Sequence, residues 1–133
     1  MNQPTNYFKP EELNPHNYPV NVEISANLDD LHDKLNQLRA AYGRPMVITS
    51  GLRSDEQQKA LIAAGKSTAT KSKHLIGQAA DIRDEDGKLA AWARQNVEIL
   101  KDIELWCEDP EYTRGWLHVQ TVPPKSGKRF FIP

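Results

Sequence analysis

The sequence predicts an α+β domain: a small, largely antiparallel sheet with helices packed on one face. Two observations carry this. Apolar residues recur at helical spacing in some segments and alternate, or run β-branched, in several short ones. Helices and strands also mix without the strand–helix–strand rhythm that builds a parallel sheet. With 133 residues and no internal repeat or linker, the chain is expected to be a single domain over 1–133.

Residues 1–20 carry Pro4, Pro10, Pro15 and Pro19, which forbid a long helix and predict an extended arm or a short capped turn. Leu28, Leu31, Leu35, Leu38 and Tyr42 follow at helical spacing, with Asn27 as the expected N-cap and Gly43 as the stop. Met46–Thr49 is a β-branched run suited to a buried strand. Ser54 ahead of Asp55–Glu56–Gln57 is a capping pattern that opens a second helix running to Gly65. Lys66–Lys73 is polar and predicts a loop. Gln78–Ile82 predicts a strand closed by the Asp86–Gly87 turn. Leu89, Trp92, Ala93 and Leu100 mark a third helix. Strands are expected at Ile103–Glu108 and Trp116–Thr121, and the Arg129–Ile132 tail should add an edge strand or cover the core.

Composition excludes several function classes. Lys+Arg number 17 against 18 Asp+Glu, a net charge of −1, which removes the main electrostatic drive toward nucleic acid or an anionic membrane. Lys71, Lys73, Lys125, Lys128 and Arg129 form no strong basic patch. No apolar run approaches the roughly 18–20 residues of a membrane span. Met1–Pro10 lacks the apolar core of a signal peptide, so synthesis in the cytoplasm is expected. The single cysteine, Cys107, rules out an internal disulfide and reads as a small core residue. A monomer is expected.

Alternation along the last two strands concentrates the chemistry. Ile103, Leu105 and Cys107 fall on one face, with Glu104, Trp106 and Glu108 on the other. Leu117 and Val119 oppose Trp116, His118 and Gln120 in the same way. Pairing the apolar sides puts His118 among acidic and aromatic residues. Upstream, His74 precedes a strand that holds Asp81, with Gly77 permitting a bend and Ala79 leaving space above the sheet. His74, Asp81 and His118 together would make a His₂Asp zinc site with an open fourth position, the arrangement of catalytic zinc. The spacing alone does not separate this from the ordinary case of a packed or surface histidine. His16 in the arm and His32 on the first helix are not favoured as ligands.

Three segments carry a resemblance. Thr49–Ser50–Gly51–Leu52–Arg53–Ser54, then Ser72-x-His74-x-x-Gly77-x-Ala79-x-Asp81, then Trp116–Leu117–His118–Val119 together resemble the zinc D-alanyl-D-alanine metallopeptidases. That family includes D-Ala-D-Ala carboxypeptidases and dipeptidases, the single-domain L-alanyl-D-glutamate endolysins of bacteriophages, and the related hedgehog signalling domain. The resemblance implies that His74, Asp81 and His118 bind Zn²⁺, that Arg53 holds a carboxylate of the peptide substrate, and that Ser72 lines the site. A guanidinium fork suits the free carboxylates of cell-wall stem peptides. The competing reading pairs Arg53 with Asp55 or Glu56.

The general base is less directly implied. Several family members place a Glu three positions before the final His, where this chain has Gly115. Other members place it at the end of the preceding strand, which points to Glu108, with Glu104 and Glu111 as rivals. The function implied is zinc-dependent hydrolysis of peptidoglycan stem peptides, as a phage-type endolysin that reaches the wall after release. The alternatives are a D,D-carboxypeptidase or dipeptidase of the same family, and a non-catalytic zinc module that binds a partner or wall fragment.

Overall fold

The computed structural model describes residues 6–65 and 72–133. Among the described residues of the proline-rich arm, Pro10–Leu13 forms a 3-10 turn opened by Pro10. Helix α1 spans Val22–Tyr42 and starts earlier than expected. Asn21, not Asn27, is its cap and accepts the Ile24 N–H at 2.8 Å. Asn27 lies inside the helix, where its amide donates to the Ile76 carbonyl at 2.9 Å. Gly43 ends the helix in the left-handed conformation, as expected.

Strand β1 is Ile48–Ser50, displaced toward the C-terminus from Met46–Thr49. Helix α2, Asp55–Ala63, is capped by Ser54, whose hydroxyl accepts the Gln57 N–H at 3.1 Å. The loop expected over Lys66–Lys73 lies outside the described residues at 66–71. Its last residue, Lys73, opens a 3-10 turn, Lys73–Ile76, that Gly77 closes at φ 77°. Strand β2 is Ala79–Asp84.

The third predicted helix is two helices, α3 (Lys88–Gln95) and α4 (Val97–Ile103). They break at Asn96, whose amide bonds to the Trp92 carbonyl at 2.9 Å. The strand expected at Ile103–Glu108 is shortened to β3, Trp106–Glu108. Ile103 ends α4 instead, and Glu104 caps it at φ 67°. Strands β4 (Gly115–Gln120) and β5 (Phe130–Phe131) complete the chain, with the tail forming an edge strand.

The sheet order is β1-β2-β4-β3-β5, antiparallel except for the β3–β5 pair. Alternation then sorts the side chains. Ala80 and Ile82 of β2, Leu117 and Val119 of β4 and Cys107 of β3 pack against Leu31, Leu35 and Leu38 of α1, Ala93 of α3 and Leu100 of α4. Helices therefore cover one face, and Asp81, His118, Gln120, Trp106 and Glu108 occupy the other. Among the described residues no helix is long and apolar enough to cross a membrane.

Candidate metal centre

Strand register builds the site. Asp81 on β2 pairs with His118 on β4, and the β4–β3 ladder pairs Trp106 with Gln120 and Cys107 with Val119. The next step along that ladder sets Glu108 beside His118, with Oε1 3.8 Å from Nε2. Asp81, His118 and Glu108 thus form one row across three strands. His74 enters from the 3-10 turn ahead of β2. Ser72 caps this turn by accepting the His74 N–H at 3.2 Å.

The Asp81 Oδ1 atom lies 3.1 Å from His118 Nδ1 and 3.3 Å from His74 Nε2. One ligand atom from each of the three residues lies within 4.8 Å of the other two, and all three residues are buried. His74 is the most telling of them. Its Nδ1 donates to the Gly51 carbonyl at 2.8 Å, so the other ring nitrogen, Nε2, is the one turned toward Asp81 and His118. That Nε2 is buried without a hydrogen-bond partner. A buried imidazole nitrogen with no hydrogen-bond partner, set 3.3 Å from a buried carboxylate, calls for a proton or a metal cation between the two. Two nitrogens and a carboxylate oxygen are the donor set of catalytic zinc, so the residues fit that ion.

Outer partners hold each ligand. Arg53 donates from Nη2 to Asp81 Oδ2 at 3.0 Å, from Nε to Ser50 Oγ at 3.0 Å and from Nη1 to Gln58 Oε1 at 3.1 Å. Its partner is therefore Asp81, and neither Asp55 nor Glu56. Gln120 Oε1 lies 3.0 Å from His118 Nε2. Charge follows this geometry. Burial acts to raise the Asp81 pKa, but the two imidazoles outweigh it and hold the carboxyl far below its ordinary range. Burial acts to lower the His118 pKa, and the Asp81 hydrogen bond with the Glu108 charge raises it above the ordinary value. Burial alone lowers Arg53, opposed by Asp81 and Glu108.

The other candidates fall elsewhere. Glu104 is turned out by its left-handed cap, 73% exposed and 3.9 Å from Lys34 of α1. Glu111 is exposed on the 3-10 turn Pro110–Tyr112. His16 stacks near Tyr18, and His32 contacts the Phe8 carbonyl at 2.7 Å. Cys107 is wholly buried on the core face, and burial pushes its thiol up to about 12. Ala79 is also fully covered, so the space above it is filled and not open.

Three features escape sequence reasoning: the Gly51 carbonyl, the Arg53–Asp81 pair and the Gln120 contact. The first two join segments far apart in the chain and leave no local signal. Gln120 is two residues from His118 on the same strand face, which is a usable hint.

Residues 6–119 match the family model described as peptidase M15. Comparison with curated protein sequences returns no match. Among solved structures, the Serratia marcescens L-Ala D-Glu endopeptidase ChiX is similar in fold. Its TM-score is 0.55 at 20% identity, over 82% of this chain and 93% of that one.

Proposed function

The chain belongs to the peptidase M15 family, and from that premise we propose that it is a zinc-dependent endopeptidase cutting within peptidoglycan stem peptides, of the phage endolysin type. The observation that carries this reading is His74 Nε2, buried without a hydrogen-bond partner and facing Asp81 and His118, with Glu108 next in the row. The fold likeness to an L-Ala D-Glu endopeptidase supports the choice of substrate.

His74, Asp81 and His118 would hold the ion. When bound, zinc supplies Lewis-acid polarisation of the scissile carbonyl and lowers the pKa of water toward about 7. Glu108 is near the ligands without being one of them. That placement suits a base that takes a proton from water and passes it to the departing amine. Arg53 spends three of its five N–H donors on Ser50, Gln58 and Asp81. The remaining two can receive a substrate carboxylate. Ser72 holds the His74 backbone at the rim of the site. Glu108 beside His118 also favours an enzyme over a non-catalytic module, since Gly115 leaves the other base position empty.

The test is digestion of purified peptidoglycan, with new amino termini identified by mass spectrometry. The expected product exposes D-Glu after internal cleavage. Release of free D-Ala alone would instead assign a D,D-carboxypeptidase, and stoichiometric zinc without turnover would assign a binding module. Glu108→Gln is expected to keep zinc while losing at least about a hundredfold in rate, within the range attributed to general acid–base catalysis.

A further inference from the structure

We propose that Gln120 is a positioning residue of this centre: it locks His118 in the Nε2–H tautomer, so that the Nδ1 lone pair faces the ion. The inference rests on the reading that His74, Asp81 and His118 bind a metal, and it adds the device that orients one of them.

The argument is one of donors and acceptors. The Val122 carbonyl can only accept, and the Gln120 amide nitrogen lies 2.9 Å from it. That contact fixes which end of the amide is which, and turns Oε1 toward His118. An amide oxygen can only accept, so His118 Nε2, at 3.0 Å, must carry the hydrogen. In the metal-free protein Nδ1 also donates, to the Asp81 carboxylate; a ring that gives up that proton to bind the ion keeps its single hydrogen on Nε2, and the Nδ1 lone pair is the one set free. Nδ1 is the atom 3.1 Å from Asp81 Oδ1, on the side that His74 Nε2 approaches to 3.3 Å of the same oxygen.

The chain of contacts ends on backbone. Beyond β4, the Thr121 N–H donates to the Gln78 carbonyl at 3.0 Å, which ties the segment carrying Val122 to the start of β2. Gln120 itself is buried, so water does not compete for its oxygen. There is a second consequence at the same atom. Glu108 Oε1 stands 3.8 Å from His118 Nε2, beyond hydrogen-bond reach. By taking that N–H, Gln120 keeps Glu108 from being drawn into a histidine–carboxylate pair and leaves it able to accept a proton from elsewhere.

The test is zinc affinity, measured by competition with a chromophoric chelator on metal-free wild type, Gln120→Leu and Gln120→Glu. Removing an outer partner of a metal-bound histidine typically weakens binding 10–100-fold, which is the loss expected for Gln120→Leu. Gln120→Glu keeps an acceptor oxygen at the same reach and should stay within about threefold of wild type by that same logic. Unchanged affinity in Gln120→Leu, or equal loss in both variants, overturns the proposal. A long-range nitrogen–proton NMR spectrum of the zinc-loaded wild type gives an answer that needs no variant. It should show His118 protonated at Nε2, and a proton on Nδ1 overturns the assignment. A wild-type chain that binds no zinc overturns the metal reading and this inference together, whereas zinc binding indifferent to Gln120 overturns this inference alone.

Discussion

At the scale of single residues, the centre gathers buried groups around one shared acceptor, Asp81 Oδ1. His118 shows this best. In the metal-free protein its pKa is raised above the ordinary 6.5 by Asp81 and Glu108, against the opposing effect of burial. The proposed zinc would therefore have to displace a proton that is held more firmly than in a free imidazole. Zinc affinity is therefore expected to fall as pH drops, and the fall should begin above about 6.5, the unperturbed value. Chelator competition across that range checks it. Glu108→Gln, which removes one of the raising charges, should move the onset to lower pH. Cys107 gives a contrasting expectation. Buried and with its thiol near 12, it should resist alkylation in the native protein and react at the rate of global opening, as mass spectrometry in increasing denaturant would show. The core role of Cys107 and the shared face of His118 and Gln120 are legible in the sequence, because strand alternation alone decides them. The Arg53–Asp81 pair is not, because 28 positions separate its members.

At the scale of elements, the site depends on a close crossing of two backbones. Gly51 follows β1 and lies against the arm: a Cβ there would stand 2.8 and 2.9 Å from the Leu13 carbonyl carbon and Cα. The next residue donates from Leu52 N–H to the Leu13 carbonyl at 2.7 Å. The carbonyl of Gly51 is also the acceptor that orients His74. Gly51→Ala should therefore cost about 1–3 kcal/mol through overpacking and also weaken zinc, measured by thermal unfolding and chelator competition on the same samples. Elements are legible where a local signal acts alone, as at the Ser54 cap or the Gly43 stop. They are misread where one residue overrides a pattern. Glu104 shows this, since its left-handed cap ends a helix inside what alternation presents as a strand. Asn96 does the same by splitting one amphipathic run into α3 and α4.

At the scale of the whole molecule, Phe8 and Leu13 of the proline-rich arm are part of the core. Leu13 is buried in the same cluster as Leu31, Leu35, Leu38 and Leu117. Leu13→Ala is expected to destabilise the fold by about 2–5 kcal/mol, read by denaturant unfolding of the metal-free protein. The α+β class and the β3–β4 pairing are legible, because both follow from periodicity within short stretches. The placement of β2 against β4 is not, since a pairing of distant strands writes nothing into either one. That placement has a consequence for how the protein comes into being. Asp81 and His118 become neighbours only when β4 takes its place between β2 and β3, both of which precede it in the chain. The proposed capture of zinc is then expected late in assembly, and a zinc-responsive dye added during refolding would work as a clock that strikes when the sheet closes.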